Sequence, residues 1–159
     1  MPKYSTKKQS NNRKTIKRTK KLTKSTPRTE SSSNGKNSHI VRIFLEILNM
    51  VKLFHWKTKS YAQHKATDEL YARLNEHIDT FVEILLGRDE SRIKTIEKKC
   101  NLVNYSSTTE FKRKVYEFRD FLIDISNHFD SSKDTDLLSI RDEILVDINQ
   151  FLYLLTFNK

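Results

Sequence analysis

The chain has 159 residues, thirty Lys/Arg against twenty Asp/Glu and a net charge of +10, which is one domain's worth of sequence with a strong basic excess. A single cysteine, Cys100, excludes an internal disulfide, and no apolar run approaches the roughly 18–20 residues of a membrane span. The N-terminus has no apolar core of the kind a secretory leader carries, so the reading is no membrane and a reducing compartment. That means cytoplasmic or nucleoid-associated, or nuclear or virion-associated if the source is a eukaryote or a large DNA virus.

The charge is unevenly spread. Residues 1–37 hold twelve of the thirty Lys/Arg and only one acid, Glu30, so the basicity belongs to the N-terminus, and 38–159 is close to neutral. Almost free of large apolar side chains, 1–37 reads as a disordered Lys/Arg-rich tail, unable to bury enough surface to offset chain entropy. Lys7, Lys8, Arg13, Lys14, Lys17, Arg18, Lys20, Lys21, Lys24 and Arg28 suit phosphate contacts driven by counterion release, with DNA or another polyanion as partner. Lys14–Lys21 also reads as a nuclear import signal.

The remainder, 38–159, is expected to be all-α. Ser38 is a cap for a first helix, in which Ile40, Ile43, Phe44, Ile47, Leu48, Val51 and Phe54 form an apolar stripe ending near Trp56 or Lys57. His55 lies on the edge of that stripe. The second helix opens on a capping box, Ser60 with Gln63, and is expected to stop at Gly87. Its core stripe reads Ala62, Ala66, Leu70, Leu74, His77 or Ile78, Phe81 and Leu85.

The chemistry lies on the opposite face of that helix. His64 and Asp68 are one turn apart, and so are Asp79 and Glu83, so each pair can address one point from successive turns. Asp68 and Asp79 are nearly in phase but about 16 Å apart along the axis at ~1.5 Å per residue. Carboxylates hold metals at about 2.0–2.6 Å, so one chain cannot bring both pairs to one ion. Two antiparallel copies crossing near Arg73 and Leu74, with small Ala72 and Asn75 at the crossing, would bring each pair opposite the other. That is a two-fold dimer with two equivalent sites. Nitrogen and carboxylate donors suit iron, zinc or manganese. The plainer alternative is a solvated polar face.

After Gly87, Arg92–Ile96 reads as a short extra helix between helices 2 and 3, with Cys100 a packing residue. Ser107 and Glu110 form another capping box for a helix to about Phe129, carrying Phe111, Val115, Phe118, Leu122 and Ile125. Asp134 caps the last, with Leu137, Leu138, Ile140, Ile144, Leu145, Ile148, Phe151, Leu152 and Leu155. His39, His77 and His128 read as structural or solvated.

His55-Trp56 followed by His64-x3-Asp68-x10-Asp79-x3-Glu83 resembles the ferroxidase signature of the Dps proteins (DNA-binding proteins from starved cells), which are miniature ferritins. The loop between His55 and His64 is shorter than usual and lacks the customary glycine. The resemblance implies a ferritin-like four-helix bundle over 38–159 with intersubunit iron sites. His55, His64 and Asp68 would come from one chain, and Asp79 and Glu83 from its partner, with Trp56 beside the site. Apart from the resemblance, Glu69 and Glu76 lie a residue or more off the ligand face and are candidates to stand behind it. The resemblance also implies oxidation of ferrous iron by peroxide or dioxygen, a ferric store inside a homo-oligomer that reaches a dodecameric cage, and a basic tail that binds and protects DNA. The competing reading is a non-enzymatic DNA-compacting or packaging protein on the same fold, with a vestigial or structural metal site.

Overall fold

The computed structural model describes residues 30–88, 90, 92, 102, 103, 105 and 107–157, with side chains from residue 35 onward. It contains four α-helices, and no strand occurs among the described residues: α1 (Glu30–Lys57), α2 (Tyr61–Gly87), α3 (Thr108–Asp124) and α4 (Thr135–Leu154). Short 3-10 turns continue α3 through Ile125–His128 and α4 through Leu155–Phe157. No helix among the described residues is long and apolar enough to cross a membrane.

Aromatic contacts fix how the helices run. Phe54 stacks on Phe111, with centroids 3.9 Å apart, and Phe44 meets Phe118 and Phe121 edge-on, so α1 and α3 are antiparallel. Phe44 also meets Phe81, while His55 meets His64 nearer the helix ends, so α1 and α2 are antiparallel. Arg73 reaches Gln150 and Arg88 reaches Asp134, which sets α4 antiparallel to α2. The directions are therefore up, down, down, up. The two middle helices are parallel.

One core lies between the helices. Phe44, Val51, Leu74, Phe81, Phe111, Val115, Leu122, Leu137, Ile144 and Ile148 are fully excluded from solvent. These are the positions that recur every three or four residues, and their burial rather than helix propensity supplies most of each helix's stability.

The boundaries differ from the sequence reading in instructive ways. The first helix starts at Glu30, not at Ser38, so residues 30–37 belong to it and Ser38 is a buried interior position. Nothing from 30 to 37 is a proline, and extending a nucleated helix costs little once Ile40–Phe54 has set it. Residues 1–29, including every basic candidate from Lys7 to Arg28, lie outside the described residues, as do Cys100 and nearly all of the expected extra helix.

Ser60 accepts from the Gln63 amide at 3.3 Å, as a cap should, but the Gln63 side chain does not reach back. It accepts from Thr58 at 2.7 Å and donates to Thr108 at 3.3 Å, while Thr58 takes the Ser60 amide proton at 3.2 Å. Ser107 caps α3 through the Glu110 amide at 3.2 Å. Asp134 holds the capping position of α4, yet its carboxylate accepts from the Asp130 amide at 2.9 Å and pairs with Arg88 at 2.6 Å. Gly87 is the last helical residue rather than the left-handed stop. The left-handed position falls at Glu90, with φ of 47°.

Candidate metal-binding site

The end of α1 and the start of α2 meet across a three-residue turn, and their registry decides what the candidate ligands can do. At this end the α2 core stripe is one residue away from the hydropathy reading. Gln63 and Thr67 are buried, Ala62 is exposed and Ala66 half-buried. The inward shift of those two polar residues brings His64 against α1.

His55 is buried, at 7% exposure, and its Nδ1 donates to the backbone carbonyl of His64 at 3.0 Å. His64 returns the arrangement, its Nδ1 donating to the carbonyl of His55 at 3.1 Å. The His55 carbonyl lies in the last turn of α1, among the four that have no helical partner, so His64 also caps that helix. Thr67 Oγ1 stands 3.3 Å from His55 Nδ1 and donates to the Gln63 carbonyl at 2.7 Å.

Protonation follows from the partners. A carbonyl oxygen only accepts, so both Nδ1 atoms carry the proton and both Nε2 atoms keep a lone pair in the neutral ring. This is how metal-ligating histidines are held: one nitrogen fixed by a backbone carbonyl, the other free for the ion. The Asp68 carboxylate Oδ1 lies 3.9 Å from His55 Nε2, and Asp68 is exposed.

The two imidazoles are stacked, with centroids 3.9 Å apart and planes tilted by 23°. An imidazole holds a metal in its own plane, about 2.0–2.1 Å beyond the nitrogen. Planes so placed do not meet within that reach, so the rings address two positions rather than one.

The structure thus brings His55 against both His64 and Asp68. Asp79 and Glu83 stand apart on the same helix, both exposed, as are Ala72 and Asn75 between the pairs. Among the described residues of one chain, no group of three or more His, Cys, Asp or Glu is placed to hold an ion. Trp56 is 69% exposed beside His55. Glu69 faces away from the site, bonded to Arg73 Nη2 at 2.6 Å, and Glu76 is exposed.

Two features escaped the sequence reading. Lys52, one turn before His55, places its ammonium 3.9 Å from the same Asp68 oxygen and 4.6 Å from the centre of the Tyr71 ring. The registry of α1 on α2 sets that contact, and no local pattern encodes it. The second is Asp147, buried at 5% in α4, which accepts from His77 Nδ1 at 2.9 Å and Arg73 Nη1 at 3.4 Å. An acid lying between Ile144 and Phe151 in an apolar stripe was the available signal.

These features define a class: an all-helical protein with an imidazole–carboxylate cluster where its first two helices join. The chain belongs to DUF5856, a family of unknown function whose profile matches residues 55–155. That span starts at His55 and includes all five candidate ligands, but none of the basic N-terminal residues. No curated protein and no solved structure matches the chain.

Proposed function

We propose that this protein is a Dps-like ferroxidase and iron store whose sites form between two chains. The observation that carries the reading is the reciprocal bonding of His55 and His64, which leaves both Nε2 lone pairs available, that of His55 3.9 Å from Asp68. One chain would supply these three groups. The partner's copy of α2, antiparallel across a two-fold axis, would supply Asp79 and Glu83, which are solvent-facing here and one turn apart. The up-down-down-up order of the four helices supports a ferritin-like four-helix bundle as the scaffold.

The donor set suits iron as substrate, with zinc or manganese as competitors of similar preference. Two stacked imidazoles addressing separate positions fit a pair of ions at the ~3.5–4 Å separation of two-metal sites. Each ferrous ion gives up one electron. Peroxide accepts the two electrons with two protons and leaves as two waters, and the ferric product passes to the store. His55 and His64 orient the ions without exchanging their Nδ1 protons, and Asp68, Asp79 and Glu83 balance the positive charge. The basic residues from Lys7 to Arg28 would tie the assembly, a dimer at least and a dodecameric cage at most, to DNA in a salt-dependent way.

The test is ferrous oxidation by the full chain, followed by ultraviolet absorbance with and without peroxide. Oxidation that saturates near two irons per site and is lost in both His64→Ala and Asp79→Ala supports the reading. A trace no faster than buffer removes the chemistry and leaves DNA binding by the basic N-terminus as the activity to pursue.

A further inference from the structure

Resting on the metal-site reading above, the geometry points to Lys52 as a built-in cation at the His55–Asp68 corner. There it restrains metal binding, and it withdraws onto neighbouring aromatic rings when a divalent ion enters. Asp68 Oδ1 is the shared corner, 3.9 Å from His55 Nε2 and 3.9 Å from Lys52 Nζ. An ion bound to that oxygen and to the imidazole would stand within a few ångströms of the ammonium, and like charges at that range repel strongly in a partly desolvated setting.

Lys52 is not a loose surface lysine. Its side chain is 30% exposed, and the ammonium lies over the Tyr71 ring at 4.6 Å and near the Trp56 ring at 5.8 Å. Aromatic faces attract cations without competing for the carboxylate, so they offer the ammonium a second resting place beside the first. Among the described residues, the charged and titratable groups facing it are His55 from α1 and Asp68 and Tyr71 from α2, and Asp68 is the anion it pairs with. With Lys52 present the chain's own part of the site is electrically neutral, and without it the same part carries the full charge of Asp68. Lys52 is therefore a positioning residue that sets affinity, not a ligand.

The test uses the full chain and Zn2+, a redox-inert probe, with binding measured by calorimetry in wild type, Lys52→Met, Lys52→Arg and Asp68→Asn. Trp56 is the only tryptophan, so its emission reports on the ammonium beside it. Lys52→Met should tighten Zn2+ at least tenfold with an unchanged thermal melt. Lys52→Arg should stay near wild type, and the emission change on Zn2+ addition should shrink in Lys52→Met. Equal or weaker binding in Lys52→Met overturns the role of Lys52 and leaves the metal site standing. Zinc bound equally well by Asp68→Asn places the ion elsewhere and overturns both, as does the absence of binding in wild type and Lys52→Met alike.

Discussion

Helix α2 carries two histidine clusters, and they have opposite characters. His64 bonds a backbone carbonyl of α1 and stacks on His55, whose own remaining nitrogen lies 3.9 Å from the exposed carboxylate of Asp68. His77, thirteen residues on, gives its Nδ1 to the buried carboxylate of Asp147, which Arg73 also contacts while bonding Gln150 and Glu69. In the second cluster the acid is inside and the histidine answers it, so the group closes on itself and joins α2 to α4. In the first the histidines are satisfied by backbone and the acid is outside, so the cluster stays open to a ligand. What surrounds an imidazole, and not its presence on a helix, decides whether it can bind.

Changes at the two clusters should therefore separate stability from binding. The largest stability effect is expected at Asp147→Ala, which leaves His77 and Arg73 without their shared buried acid. Both partners still reach water, so the loss should be roughly 2–3 kcal/mol in urea unfolding rather than the upper end for buried pairs, with Zn2+ affinity unchanged. His64→Ala should do the reverse, weakening Zn2+ by about 10–100-fold while costing no more than about 1 kcal/mol through the lost cap on α1. If both variants lose binding and stability together, the contrast between the clusters is wrong.

Smaller effects fall where the helices end. Gly87 is helical, and an added Cβ would meet nothing within 4 Å, so Gly87→Ala should stabilise by roughly 0.5–1 kcal/mol in the same unfolding assay. At the α3–α4 turn, hydrogen bonds from the Ser132 hydroxyl and amide hold the Asp130 carboxyl below its ordinary value. A depressed carboxylate stabilises above the unfolded-state value and loses that contribution as pH falls through the folded one. Asp130→Asn should accordingly lower stability slightly at neutral pH and converge with wild type below about pH 4, which flattens the acid limb of the stability curve.

Much of the fold was legible because the core writes itself in apolar residues at helical spacing. Phe44, Leu74, Phe81, Phe111, Val115 and Ile144 all fall on the expected stripes and are buried. The pattern misled only where polar residues went inward. Gln63 and Thr67 take core positions because Thr58, Thr108, His64 and His55 satisfy them, a set of contacts made across elements. Ser38 looked like a cap because serine caps helices well, yet it is equally able to sit inside one with its hydroxyl bonded. Within the site, the one-turn spacing of His64 and Asp68 was readable. The positions of His55 and Lys52 against them depend on how tightly the turn at Thr58–Ser60 closes, which no single helix encodes.

The proposed site needs two chains, and mixing crippled chains puts that need to the test. His64→Ala/Asp68→Ala lacks one half of every site and Asp79→Ala/Glu83→Ala the other, so neither alone should oxidise ferrous iron. When the two are unfolded together and refolded in equal amounts, half the dimers are mixed. Each mixed dimer regains one intact site of two, so activity should return to about a quarter of wild type. A mixture as inactive as its parts, with mixed dimers shown to be present, would contradict an intersubunit site. So would either double variant that oxidises iron alone.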